Sequence, residues 1–458
     1  VTRRHFLQVA SGAFGAAADS RPNFVFILCD DLGWGDLPCY GHQRIVAHGG
    51  WNVRGDLKTP AIGRLAAEGT RFTQFYVASA VCSPSRAAFL TGQFPARLGI
   101  HDYLASPDLN RKRGVADYLD PAVPTLARLL KSAGYATGHF GKWHLGVPGG
   151  PQPEQYGIDR YHNGLDLGRP RSSESIASHA LQFIEEHRGP FYVNLWLYDP
   201  HSPLHPTGEM MEPYSQFGSG WKSQRSAFEI YYAVLSFMDA QIGRILGRLD
   251  DLGIANNTVV VFSSDNGPES ALIPFVSFYG AASSAGPFRG VKRSLYEGGV
   301  RTPFIVRWPG RTPAGKVDNG SVIGGVDLLP AFCRLAGVPA SAVTDGEDVS
   351  AALAGREHKR RRALFWENRF PVYGHVLDMS PMLAIRQGKW KLLMNPDRSR
   401  IELYDIPADP SEVTNRAAAQ PAIVRDLSER LLAWQAGLPK GPVHPDAGTN
   451  RYPWPEGK

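Results

Sequence analysis

A chain of 458 residues is long enough for one large domain with a smaller partner, or for two of medium size. An apolar fraction of 43% is that of a globular protein, and no apolar run approaches the roughly 18–20 residues that a membrane helix needs. A formal net charge of +6 with no lysine-rich tail and no nucleic-acid module suits a small anionic substrate better than a nucleic acid, although on so long a chain it is mostly solvated surface.

In chain order, Thr2-Arg3-Arg4-His5-Phe6-Leu7 has the form of a twin-arginine export signal, and Ala16-Ala17-Ala18 offers a small-residue cleavage site. Residues 1–20 are therefore set aside as a signal peptide, against the plainer reading of a frayed basic terminus. The run NFVFILC at 23–29 shows little polar–apolar alternation, as expected for a central strand covered on both faces. Thr59-Pro60 opens a helix that Gly69 closes, with Thr59 as N-cap and proline at the first helical position. A further helix over 125–133 stops at Gly134, and 191–197 reads as a strand. Residues 226–250 form a long amphipathic helix, 258–263 (TVVVFS) and 303–308 are buried strands, and 327–336 is a helix ended by Gly337. Strands alternating with helices predict an α/β fold, a large mostly parallel sheet sandwiched by helices. The basic stretch at 356–362 marks a boundary. Beyond it, short strands at 382–386, 390–394 and 403–405 and a helix at 422–434 predict a smaller α+β domain, so the division is 21–360 and 361–458, with 439–458 irregular. The four cysteines, Cys29, Cys39, Cys82 and Cys333, show no CxxC or framework spacing; a disulfide scaffold is not expected, and Cys29–Cys39 is the one pairing left open.

Polar clusters follow the strands, where ligands collect in open α/β sheets. Asp30-Asp31 follows the first strand and Asp265-Asn266 a later one. Each pair alone reads most simply as a turn or a helix cap. Brought together, three carboxylates would repel unless a cation lay between them, and oxygen-only ligands select a hard ion. Cationic and imidazole groups recur in Gly141-Lys142-Trp143-His144, Asp199-Pro200-His201 and Arg289-Gly290-Val291-Lys292, individually ordinary loop residues. Together they supply donors for an oxyanion and groups that move protons near neutral pH. The most specific motif is Cys82-Ser83-Pro84-Ser85-Arg86, continued by Ala-Ala-Phe-Leu-Thr-Gly, which places a cysteine at a helix N-terminus whose field favours an anion.

That motif, with the Asp pairs and the Lys and His segments, resembles the type I sulfatases of the alkaline-phosphatase-like superfamily, the likeness running from Arg21 to about Trp434 and including Leu403-Tyr404-Asp405, Asp409-Pro410 and Glu412. The resemblance implies that 21–360 is the catalytic domain and that Cys82 is converted to formylglycine by a formylglycine-generating enzyme. It implies calcium, with magnesium as the alternative, bound by Asp30, Asp31, Asp265, Asn266 and the modified residue 82. Arg86 would hold the formylglycine, and Lys142, His144, His201 and Lys292 would surround the sulfate. In the implied mechanism one hydroxyl of the hydrated aldehyde, helped by Asp265, attacks sulfur while Lys142 and Lys292 stabilise the growing charge. His201 protonates the leaving alcohol, and the second hydroxyl, deprotonated by His144, expels sulfate.

Residues 72–76 and 92–100 resemble the branch of arylsulfatases and N-acetylgalactosamine-6-sulfatases, which favours a sulfated carbohydrate of glycosaminoglycan or algal galactan type. A general arylsulfatase acting on aryl sulfates is the plainer version of the same reading. The rivals are a phosphate or phosphonate monoester hydrolase of the same superfamily and a non-catalytic sulfoglycan-binding protein. Three segments are candidates for the leaving-group pocket: 41–56 with His42, His48 and Trp51, 204–221 with His205, and 271–288. With a signal peptide, the protein would work in a bacterial periplasm or outside the cell.

Overall fold

The computed structural model describes residues 21–41, 57–217, 226–269, 282–340 and 343–450, with the backbone of two short strands at Val46–Ala47 and Trp51–Asn52. The signal-peptide expectation at 1–20 lies outside the described residues.

The main sheet runs, edge to edge, through Lys316–Asp318, Thr70–Phe72, Phe304–Arg307, Thr258–Ser264, Asn23–Cys29, Phe191–Trp196, Ala136–Gly141 and Arg160–His162. Every pairing is parallel except those made by Phe304–Arg307, which lies antiparallel to both neighbours. The central Asn23–Cys29 strand explains its own lack of alternation. Phe24, Phe26 and Leu28 enter the core on one face, with Phe89 and Phe332. Val25, Ile27 and Cys29 enter the core on the other, with Ile242 and Ile245. Helices Cys82–Thr91, Leu126–Ser132 and Leu328–Ala336 cover the first face. Helices Pro60–Glu68, Ser172–Glu186 and Ala227–Asp251 cover the second. All four cysteines are free, which closes the Cys29–Cys39 option; Cys29 Sγ lies 3.6 Å from Met238 Sδ inside the core.

One expectation is corrected. The helix does begin at Pro60, but the Thr59 side chain makes no capping bond. The carboxylate of Asp239, on the long helix, accepts from the backbone N–H groups of Ala61 at 2.9 Å and Ile62 at 2.8 Å. A buried acid thus satisfies donors that a helix start leaves orphaned. Burial pushes the Asp239 carboxyl up to about 6, against the pull of those two N–H donors.

The C-terminal region forms a four-stranded antiparallel sheet in the order Leu364–Glu367, Leu383–Gln387, Trp390–Met394, Glu402–Asp405. Helix Pro421–Ala436 packs on one side, through Leu427 and Leu431. From its other side Trp366, Ala384, Leu393 and Tyr404 join the core of the main sheet. The first of these strands was not anticipated. Residues 439–450 carry neither helix nor strand, in keeping with the irregular end expected there.

Asp239→Ala should destabilise the fold by about 2–3 kcal/mol, because it removes a charged acceptor from two buried donors. Urea unfolding reads this directly. An unchanged midpoint would mean that another group caps the helix.

Candidate active site

The carboxyl ends of the central strands bring the distant motifs together. Cys29 pairs with Ser264 at the last register of two adjacent parallel strands, so the next residues, Asp30 and Asp265, emerge side by side. The Asp265 N–H donates to Cys29 O at 3.1 Å, and the Asp31 N–H to Asp265 Oδ1 at 3.3 Å. Lys142 leaves the Ala136–Gly141 strand with its N–H on Trp196 O at 2.8 Å. The Lys292 and Arg293 N–H groups donate to Pro268 O at 2.9 Å and Ala80 O at 2.8 Å, which ties their segment both to the turn after Asp265 and to the loop before Cys82. Cys82 opens the Cys82–Thr91 helix, which Gly92 ends in the left-handed conformation, φ 66°, as glycine does without penalty. Arg86 lies one turn on and therefore on the same helix face.

The side chains form one buried charge network. Arg86 is fully buried and donates from Nε at 2.9 Å and Nη2 at 2.6 Å to Asp265 Oδ2, with Asp30 Oδ2 3.8 Å from Nη2. Its Nη1 donates to Lys142 O at 2.9 Å. The Lys142 ammonium donates to Asp30, the Lys292 ammonium to Asp31 at 2.7 Å, and Asn266 Nδ2 to Asp31 Oδ1 at 2.8 Å. Burial alone would raise the Asp30 carboxyl, but Lys142, His201, Arg86 and Lys292 outweigh it and hold Asp30 well below the usual carboxylate range. Burial likewise opposes ionisation of Asp31, and Lys292 reverses it. Asp265 goes the other way: burial and the neighbouring Asp30 charge push it up despite Arg86.

These residues pass a test for a divalent cation. Asp30 Oδ1 and Asn266 Oδ1 are buried and have no hydrogen-bond partner among the described residues. Ligand atoms of Asp30, Cys82 and Asp265 lie within 4.8 Å of one another, as do those of Asp30, Asp31 and His201. Two orphaned oxygens in a carboxylate-rich pocket are what a hard, oxygen-seeking ion would satisfy. A third group, His162, Asp166 and His179, meets the same distance criterion but sits near the edge strand. Its stacked imidazoles, 3.5 Å apart, are already bonded to Ser175.

The two histidines differ in a useful way. His144 Nε2 lies 2.9 Å from Leu104 O, so it carries the proton and donates, leaving Nδ1 as a buried lone pair without a partner. Burial and Lys142 lower His144 to about 3, so the ring is neutral. His201 Nδ1 donates to Ser202 O, and Nε2 lies 3.7 Å from Asp31 Oδ2. Burial lowers His201 to about 4, against the raising effect of Asp30 and Asp31.

All ten residues singled out in the sequence thus lie in or against this cluster. The three loop segments fare differently. Most of 41–56 and 271–288 and part of 204–221 lie outside the described residues. Phe288 packs into the core, its ring 4.9 Å from that of Trp34. A cavity beside Cys82 is lined instead by Asp102, Tyr103, Arg113 and Tyr373, none of which belongs to a recognisable motif. Only Arg293, the residue after Lys292, could have drawn notice by position.

The fold and the site define a hydrolase of the alkaline-phosphatase-like superfamily acting on sulfuric esters. The chain belongs to the type I sulfatase family: the sulfatase family model matches residues 22–338, and the C-terminal model of N-sulphoglucosamine sulphohydrolase matches 289–436. It is similar to human arylsulfatase A, 32% identical over 91% of this chain and 83% of that protein. It is 28% identical to the N-acetylgalactosamine-6-O-sulfatase of Bacteroides thetaiotaomicron over 90% of this chain and 92% of the relative. Among solved structures, i-CgsB in complex with k-i-k-neocarrahexaose superposes with a TM-score of 0.75 at 25% identity, covering 90% of this chain and 92% of that one. No helix among the described residues is long and apolar enough to cross a membrane.

Arg86→Ala would leave Asp265 and Asp30 buried without their guanidinium. We expect a loss of about 3–5 kcal/mol, typical of breaking a buried ion pair from one side. Calorimetry measures it, and Arg86→Lys should recover only part.

Proposed function

We propose that this sulfatase removes a sulfate ester from a sulfated carbohydrate, of glycosaminoglycan or algal galactan type, using formylglycine at position 82 and calcium. The observation that carries the reading is the convergence, at the carboxyl ends of the central strands, of the Cys82 helix start with Asp30, Asp31, Asp265 and Asn266 and the cations Arg86, Lys142 and Lys292. The names of the relatives and of the solved structure, an N-acetylgalactosamine-6-O-sulfatase and a carrageenan-oligosaccharide complex, support the carbohydrate class.

Asp30, Asp31, Asp265 and Asn266, with residue 82, would hold the cation. A set so rich in protein oxygens suits calcium, whereas magnesium keeps most of its water. When bound, the cation supplies positive charge against the charge that grows on the sulfuryl oxygens. A hydrated aldehyde at residue 82 supplies two hydroxyls, one to attack sulfur and one whose deprotonation later frees sulfate. Lys142 and Lys292 now rest on Asp30 and Asp31, the carboxylates the cation would take. With those carboxylates taken, the Lys142 and Lys292 ammoniums would be free to orient the sulfate oxygens. His144, neutral and with Nδ1 unprotonated, is suited to accept a proton. His201 faces the acid side, and a bound sulfate would raise its affinity for the proton it delivers to the leaving alcohol. Maturation would require a formylglycine-generating enzyme, and Arg3-Arg4 supports export to a periplasm or beyond.

The experiment is steady-state turnover of sulfated saccharides by protein whose residue 82 is shown by mass spectrometry to be the aldehyde. Cys82→Ala and Cys82→Ser should both abolish it, because neither offers a second hydroxyl. Full activity in either variant would overturn the mechanism. Matched aryl sulfate and aryl phosphate esters separate this reading from a phosphohydrolase, which would favour the phosphate. Calcium at about 100 times its dissociation constant should stabilise the mature protein by roughly 2.7 kcal/mol. Asp30→Ala should lose that thermal shift.

A further inference from the structure

A cavity of about 480 Å³ opens beside the site, and its wall includes Val81 and Arg293, the chain neighbours of Cys82 and Lys292. Asp102, Tyr103, Arg113 and Tyr373 complete the part of the wall that matters here. Asp102 is buried, and its Oδ2 accepts from Arg113 Nη1 at 2.7 Å. Arg113 Nη2 donates to Tyr103 O at 2.7 Å and Asn110 Oδ1 at 3.2 Å, while its Nε is buried without a hydrogen-bond partner. The guanidinium lies 4.4 Å from the centroid of the Tyr103 ring. Both polar groups are therefore fixed in place before any ligand arrives.

Arg293 is held as firmly. It adopts φ 75°, a conformation costly for a residue with a side chain. Its N–H is bonded to Ala80 O, and its carbonyl accepts from Asn368 Nδ2 at 2.7 Å. Its side chain pairs with Glu269 at 2.6 Å and lies 5.5 Å from the Tyr373 ring centroid. Tyr373 itself is 51% exposed on the cavity wall, so its ring is open to a ligand.

The chemistry of this wall discriminates between leaving groups. Each guanidinium already has a carboxylate, so the cavity is no free cationic patch waiting for a second anion. A paired carboxylate and guanidinium instead present acceptors and donors in fixed planes next to aromatic faces. That matches a polyhydroxylated ring, whose hydroxyls donate to Asp102 and accept from Arg113, and whose C–H face packs on an aromatic ring. A bare aryl group would cover the same polar atoms without pairing them, at a cost.

We propose that this cavity is the subsite for the sugar ring that bears the sulfate, with Asp102 and Arg113 reading its hydroxyls and Tyr373 packing on its apolar face. The proposal rests on the sulfatase reading and adds the residues that set its specificity. The test compares kcat/KM for 4-nitrophenyl sulfate with that for a panel of monosulfated galactose, N-acetylgalactosamine and glucosamine, using matured enzyme. At least one sugar should exceed the aryl ester. Its advantage should shrink by about 10-fold or more in Asp102→Asn, and also in Tyr373→Ala, which changes an exposed residue and leaves folding unthreatened. The proposal is overturned if no sugar exceeds 4-nitrophenyl sulfate, or if the advantage survives both substitutions. Absence of any sulfate-ester hydrolysis in the unaltered mature enzyme would instead sink the sulfatase reading beneath it.

Discussion

Asp30, Asp31 and Asp265 are buried together at the ends of two paired strands, and the rest of the site is built around compensating their charge. Like charges this close cannot all ionise in a low-dielectric interior without cations among them. Arg86 answers Asp265, Lys142 answers Asp30 and Lys292 answers Asp31. Each cation comes from a different segment, so the need for neutrality pulls the Cys82 helix, the Gly141 strand end and the Lys292 loop to one point. Asp30 Oδ1 and Asn266 Oδ1 still lack hydrogen-bond partners among the described residues, and a divalent cation would satisfy them. The lysines that balance the carboxylates, Lys142 and Lys292, are the same ones proposed to orient sulfate.

The C-terminal sheet enters this logic through the segment that carries Lys292. Gly290 N–H donates to Asp378 Oδ1, Leu295 N–H to Ser380 Oγ and Glu297 N–H to Glu412 Oε2, while Asn368 holds Arg293 O. Below them, Lys391 lies buried between Glu297 at 2.9 Å and Glu412 at 3.0 Å. Burial pushes Glu412 up to about 7 even with Lys391 beside it. The loop bearing a proposed sulfate-binding lysine therefore owes its position to residues 75 to 115 positions downstream. This explains why the Asp409-Pro410 and Glu412 segment belongs with the rest of the resemblance although it touches no reacting atom.

What the sequence made legible follows from the range of the physics involved. Gly92 and Gly337 mark helix ends because a left-handed residue is a local demand. The unbroken apolar run at Asn23–Cys29 announces a strand covered on both faces, and the strand-end acids announce the site. The direction of Phe304–Arg307 was not legible, since an apolar run reports burial and not orientation. Strands of three residues, Thr70–Phe72 and Lys316–Asp318, are too short to show a period. The cap supplied by Asp239 was invisible because its donors lie 178 and 177 residues away. Asp102 and Arg113 likewise look like any surface ion pair until the fold sets them beside Cys82.

Backbone strain gives an independent view of where the molecule departs from what its chain prefers. Six non-glycine residues among those described have positive φ, and three of them, Asp31, His144 and Arg293, lie at the site. Such conformations persist only where the surroundings over-determine them. At Asp31 the constraint is the N–H bond to Asp265, at His144 the imidazole bond to Leu104 O, and at Arg293 the bonds to Ala80 and Asn368. Each constraint aims a different function: a carboxylate, an imidazole lone pair, and a guanidinium on the wall of the neighbouring cavity. The third case links the two parts of the site. The turn that strains Arg293 also presents Lys292 to Asp31, so one peptide joins the sulfate cradle to the Arg293 part of the cavity wall.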